Sequence, residues 1–252
     1  IVNSFPNSPL PNNKIFFIRF LFRVLKNIKL IYLNNMNFIQ NLYYKVLNKQ
    51  ISSIYKDRFY KYHNTPKGVF WNNRMSQDLR LNIILDKITD NSTLNIISVG
   101  DVGCGYGRLF EIIKERKLDN KIIYSGFDIN KEMVLFCKNN KYFHKVSFKI
   151  GTFPTQNVDY VVMSGTYNLT VIKNIKIWEN YIIENLKSNW NHAKKALIFN
   201  CLVDQSRKIQ KNLYYTELSW MKNICKKNFG AFECIKHNML PNDVTIIVKK
   251  LG

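Results

Sequence analysis

In the stretch VGDVGCGYGRLF, residues 99 to 110, Asp101 stands two places before Gly103, and Gly105 and Gly107 follow at alternate positions. Glycines in that pattern leave the backbone free to approach a ligand closely and to adopt positive φ. The spacing departs from two familiar phosphate loops. A dinucleotide loop reads G-x-G-x-x-G, and a P-loop needs a final Lys-Ser or Lys-Thr; this turn reads G-x-G-x-G with neither. Asp101 would repel a phosphate, but it suits a ligand that carries an ammonium group. Asp128, in YSGFDINKEM, follows about twenty residues beyond Gly107, the separation from which a carboxylate accepts hydrogen bonds from ribose hydroxyls. A ligand with a ribose, a cationic amino group and no essential phosphate satisfies both acids. S-adenosylmethionine is such a molecule.

These residues need a scaffold that brings two separate turns together. LNIISV is a short β-branched run of the kind buried in parallel sheets, and RLFEIIKERK after the glycines reads as a helix. IIYSGF, VSFKI, DYVVM and ALIFNCLV read as further strands, separated by KEMVLFCKNN and WENYIIENLKSNWNHAKK as helices. Such alternation predicts an α/β fold with a doubly wound, mostly parallel sheet, whose ligands sit beyond the carboxyl ends of the strands. Earlier in the chain, Ile51 to Tyr62 reads as a helix, and HNTPKGVFWNN as a loop broken by Pro66 and Gly68. Ser76 is placed to cap a helix with Leu79, Ile83, Ile84 and Ile88 on one face. After the turn DNST the first strand begins. Near the end Thr216 is placed to cap TELSWMKNICKKN, and AFECIKH and DVTIIVKK pair as an antiparallel hairpin.

The chain has 252 residues and a formal charge of +21. That charge fits a nucleic-acid binder, but Lys, Asn, Ile, Phe and Tyr are abundant together, as A/T-rich codons would make them, so it is a weak clue. The five cysteines (104, 137, 201, 225 and 234) form no C-x-x-C pair, and the four histidines are scattered. No metal site is expected, and a cytoplasmic, reducing setting fits best. Residues 1–35 hold five Lys or Arg and no acid, and Arg19, Arg23, Lys26 and Lys29 recur at helical spacing. They read as a translated upstream region outside the folded enzyme, or else as a basic membrane-surface helix or presequence. Charges every few residues argue against a membrane span. Residues 36–75 form an expected helical cap and lid loop, and 76–252 the main domain.

With DVGCGYG and GFDIN as its first two motifs, the chain resembles class I S-adenosylmethionine-dependent methyltransferases. It is similar to a group of small bacterial methyltransferases at TPKGVFWN with SQDLR, at MSGTYNL, IFN, LYYTELSWM and HNMLPNDVT, from roughly Ser52 to Leu251. The resemblance implies a seven-stranded sheet with its last strand antiparallel. It places Gly103, Cys104, Gly105 and Gly107 along the methionine and ribose, Asp101 at the amino end, Asp128 on the ribose and Ile129 beside the adenine. The acid often found after the third strand is replaced here by Gly151, Thr152 and Phe153, so adenine recognition falls to Thr152 or to backbone.

The acceptor side is expected after the fourth strand, at Ser164, Gly165, Thr166, Tyr167 and Asn168. SGTYNL lacks the prolines of DNA amino-methyltransferases, and Cys201 lacks the neighbouring proline of a cytosine-methylating nucleophile. Trp71, Asn72 and Arg74 lie in the expected lid, with Arg74 reaching a methionine carboxylate and Trp71 the substrate, or else Trp71 packing and Arg74 solvated. Tyr214 and Tyr215 read as core or staple residues, and His237 and Asp243 as structural groups at the hairpin turn. The expected activity is methyl transfer to a small molecule. A methyltransferase acting on RNA or protein, and a non-catalytic cofactor-binding protein, are the alternatives.

Overall fold

A computed structural model describes residues 38–90 and 95–250. The chain divides into two units, Ile1–Val46 and Leu47–Gly252. In the first, the described residues 38–46 are helical. The expectations for residues 1–35, and the turn at 91–94, lie outside the described residues. In the second unit residues 47–62 are helical (α1), and a single 3-10 turn at Pro66–Val69 follows.

Helix α2 (Arg74–Asp90) begins two residues before the expected cap. Asn73 takes that role, its Oδ1 accepting from the Ser76 N–H at 2.8 Å. The face that α2 buries is Leu81, Ile84, Leu85 and Ile88, together with Ser76, Gln77 and Arg80. Leu79 and Ile83, expected on that face, are only half-buried. The alternation then proceeds through β1 (Ile97–Val102), α3 (Arg108–Glu115), β2 (Ile122–Asp128), α4 (Lys131–Asn139), β3 (Ser147–Ile150) and β4 (Val158–Met163). Next come α5 (Ile175–His192), β5 (Ala193–Asp204), β6 (Lys208–Gln210), β7 (Leu213–Glu217), α6 (Leu218–Asn228), β8 (Phe232–His237) and β9 (Leu240–Lys249). Helix α5 stops earlier than expected, because Ala193 already enters β5.

The main sheet runs β3-β2-β1-β4-β5-β9-β8. β9 lies antiparallel between β5 and β8, and the pairs β1–β2, β1–β4, β2–β3 and β4–β5 are parallel. This is the expected seven-stranded α/β sheet with an antiparallel last strand. The short pair β6–β7 is an addition that extends the far end of β5 through Val203 and Thr216. Thr216 therefore sits in a strand, and Glu217 precedes α6 without a side-chain capping bond.

Val99, Val161, Val162, Leu197, Ile198 and Ile246 are buried, as expected of strands covered on both faces. Ile84 and Leu85 of α2, Ile112 and Ile113 of α3 and Cys137 of α4 join Val99, Val162 and Ile198 in one core cluster. Each buried aliphatic side chain there contributes about 1.5–3 kcal/mol relative to exposure. Because β1, β2 and β4 run parallel, their carboxyl ends at Val102, Asp128 and Met163 bring three loops to one edge. Among the described residues, no helix is long and apolar enough to cross a membrane.

Candidate cofactor and acceptor site

The turn after β1 is pinned to the turn after β2. The N–H groups of Gly103 and Cys104 both donate to the Phe127 carbonyl, at 2.7 and 3.1 Å. The Gly105 N–H donates to Asp128 Oδ2 at 2.9 Å, and the Asn130 N–H to Oδ1 at 2.8 Å. Each carboxylate oxygen keeps further acceptor capacity. Burial pushes the Asp128 carboxyl above its usual range, and the N–H donors of Asn130 and Gly105 pull it partly back. Asp101 is buried in the last turn of β1, where it accepts from the Tyr124 hydroxyl at 2.7 Å. Burial raises its pKa to about 7, against the lowering effect of that hydrogen bond.

A cleft of about 690 Å³ opens at this edge. Of the sequence-predicted residues, Gly103, Gly105, Asp128, Ile129 and Thr152 line it, together with Ser164, Gly165, Tyr167 and Trp71. A smaller recess of about 360 Å³ holds Asp101 and Cys104 and shares Gly103, Gly105, Ser164 and Trp71 with the cleft. A second cavity, of about 900 Å³, takes in Asn168 and shares Tyr55, Val69, Trp71 and Gly165 with the first. Three predicted residues line none of these spaces. Gly107 lies at the start of α3, where a Cβ would stand 2.7 Å from the Phe143 ring. Phe153 turns outward and stacks on His192 with ring centroids 5.0 Å apart. Arg74 is exposed, donating to the Tyr106 hydroxyl at 3.2 Å rather than entering the cleft.

Several lining residues carried no chemical spacing to reveal them. Ile51 and Tyr55 come from α1, Val69 from the 3-10 turn, Met133 from α4, and Tyr181 and Asn185 from α5. Burial pushes the Tyr55 and Tyr167 hydroxyls well up, so both stay protonated. Tyr181 is held by Asn48 Oδ1, which accepts from its hydroxyl at 2.5 Å.

The indole of Trp71 is part of the wall that the two cavities share. A Cβ at Gly165, whose φ is +71°, would stand 2.7 Å from Trp71 Cζ2, so glycine lets the ring lie against backbone. Trp71 also meets the Arg80 guanidinium, at 4.3 Å from the ring centroid. Arg80 Nε in turn donates to Asp243 Oδ2 at 2.6 Å, and its Nη1 to the Ser76 carbonyl at 2.8 Å. Asn200 ties the far side. Its Oδ1 accepts from the Gly165 N–H at 2.5 Å and its amide donates to Asp243 Oδ1 at 3.2 Å. His237 is buried behind Asp243 and meets Thr245 Oγ1 at 2.9 Å. Burial and the Arg80 charge keep its pKa low despite Asp243, so the imidazole is neutral.

The residues present fit S-adenosylmethionine. Ser164 Oγ is buried without a hydrogen-bond partner, at the junction of cleft and recess. Gly103 has φ of +79°, and a Cβ there would lie 2.7 Å from Thr166 Oγ1, so the floor is bare backbone. Asp128 offers acceptors for two hydroxyls, and Asp101 a carboxylate for an ammonium.

Fold and site together define a methyltransferase of the class that uses S-adenosylmethionine. Residues 93–251 match the family described as "Methyltransferase domain", and the chain belongs to it. It is 27% identical over 156 residues to "Putative methyltransferase Rv1506c" of Mycobacterium tuberculosis, covering 61% of this chain and 93% of that one. Among solved structures, it is similar to a Leishmania major S-adenosylmethionine-dependent methyltransferase at 13% identity and a TM-score of 0.56, covering 78% of this chain and 82% of that one. It is similar also to the magnesium protoporphyrin IX methyltransferase of Synechocystis PCC 6803 with bound SAH, at 14% identity and a TM-score of 0.55 over 82% of this chain and 100% of that one. These two likenesses concern the fold.

Proposed function

We propose that this methyltransferase transfers its methyl group to a small molecule held in the second cavity, with the cofactor in the first. The observation that carries this reading is the shared wall. Tyr55, Val69, Trp71 and Gly165 belong to both spaces, so a donor and an acceptor would meet across that boundary.

Gly103, Gly105 and Ser164 bind the amino-acid part, with Asp101 opposite its ammonium. Asp128 orients the ribose, and Ile129, Met133 and Thr152 flank the base. When bound, S-adenosylmethionine supplies a methyl group activated by its sulfonium charge. Transfer breaks the S–CH3 bond and joins that carbon to the acceptor's nucleophile. The electron pair of the broken bond stays on sulfur, which becomes a neutral thioether, and any proton displaced from the nucleophile passes to water. Alignment of the two reactants supplies much of the acceleration in such a displacement. Trp71, packed against Gly165 and Arg80, fixes the boundary between the two spaces.

The test is incubation of the protein with methyl-labelled S-adenosylmethionine and fractionated cell extract. Label is expected in a fraction of small metabolites and should disappear with Asp128→Ala. Label found only in RNA or protein would contradict the small-molecule assignment.

A further inference from the structure

Resting on the assignment of the second cavity to the acceptor, we infer that the acceptor is an uncharged molecule with a planar or aromatic ring, carrying amide- or hydroxyl-type polar groups. Among the described residues, Arg80 and Asp243 are the only charged side chains that line this cavity, and they are paired with each other. The Arg80 side chain is 9% exposed and that of Asp243 1%. Nε and Nη2 of the guanidinium both face Asp243 Oδ2, and Nη1 is committed to the Ser76 carbonyl. One face of Arg80 is covered by Trp71. An acceptor phosphate or carboxylate would find no free cation, and an ammonium no free anion, so either would lose hydration without gaining a counter-charge.

What the cavity does offer is flat and neutral. Tyr55, Phe70, Trp71 and Tyr215 bring aromatic side chains to its lining, and Leu202 and Leu213 apolar ones. Asn72, Asn168 and Asn242 also line the same space, and an asparagine amide can both donate and accept. The contrast with the whole chain is sharp. A protein of net charge +21 has an acceptor cavity whose charges cancel.

The experiment uses the full chain saturated with S-adenosylhomocysteine, titrated with benzamide, phenol, phenyl phosphate, benzoate and benzylamine. Binding is read by ligand-observed NMR and by the indole N–H signal of Trp71, assigned through its loss in Trp71→Phe. Benzamide and phenol should bind at least tenfold more tightly than the three charged fragments and should shift the Trp71 signal. Asn72 and Asn242 are exposed, so Asn72→Asp with Asn242→Asp should fold normally and gain at least threefold for benzylamine. Charged fragments that bind as well as benzamide, or no fragment binding at all, would overturn the inference. Benzamide that binds without moving the Trp71 signal would overturn the placement of the acceptor, and the inference with it. Failure to saturate with S-adenosylhomocysteine would instead remove the cofactor reading.

Discussion

Asp101 and Asp128 are both buried carboxylates, yet they are held differently. Two backbone N–H groups steady Asp128, whereas Asp101 has a single tyrosine hydroxyl. With its pKa raised to about 7, Asp101 binds a proton more tightly in the folded chain than in the unfolded one. Stability of the ligand-free protein should therefore fall as pH rises from about 4 to 7, the folded state being the one that must give up the proton. Asp101→Asn removes that slope. At pH 8 it should raise the melting temperature of the ligand-free protein, while weakening S-adenosylmethionine at least tenfold by calorimetry. A melting temperature independent of pH in the wild type, or lowered by Asp101→Asn, would contradict this. The same burial predicts that S-adenosylmethionine binds more weakly at pH 6 than at pH 8, since its ammonium requires the ionised carboxylate.

Between elements, the junction of the two cavities depends on Asn200, which connects the loop after β4 to β9 through Gly165 and Asp243. Asn200→Ala leaves the Gly165 N–H and Asp243 Oδ1 short of a partner, at a cost of about 1–3 kcal/mol in denaturant-monitored stability. Unchanged stability would show that water replaces the amide. The contrast between the two sites lies in how local they are. The glycine turn and Asp128 were legible because each ends a strand that is itself legible, and adjacent parallel strands must bring them together. The second cavity was not legible as a unit, because Tyr55, Trp71, Arg80, Gly165 and Asp243, which line it, and Asn200, which ties two of them, come from six separate segments. His237 and Asp243 were read as hairpin groups, and they do brace the hairpin. Their link to Arg80, and through it to Trp71, lies beyond any local pattern. The β6–β7 pair was missed for a related reason, since Leu213–Glu217 is short and adjoins a helix, so it read as the helix entry.

For the whole molecule, the doubly wound, mostly parallel sheet was legible in the alternating strand and helix patterns, and the antiparallel last strand in the closing hairpin and the resemblance. The order β3-β2-β1-β4-β5-β9-β8 comes from the structure. The +21 charge had a different fate. It suggested polyanions, but among the described residues the charged side chains that line the cleft and the second cavity are Asp128, Arg80 and Asp243, whereas Lys87, Lys194, Lys195, Lys249 and Lys250 line a separate space. A cofactor held by buried groups is screened little by salt. S-adenosylhomocysteine affinity should accordingly change less than about threefold between 50 and 500 mM salt, whereas a protein using its charge on phosphates loses orders of magnitude over a comparable range. A steep salt dependence would place the ligand on the basic surface instead.

The central claim is that the edge formed by Gly103, Gly105 and Asp128 holds a sulfur nucleoside. Calorimetric titration of the wild type and of Asp128→Ala with S-adenosylhomocysteine, and of the wild type with NAD, tests it most directly. The wild type should bind S-adenosylhomocysteine at one site, Asp128→Ala at least tenfold more weakly, and NAD should give no measurable heat. Binding of NAD without S-adenosylhomocysteine, or equal affinity in the two proteins, would contradict it.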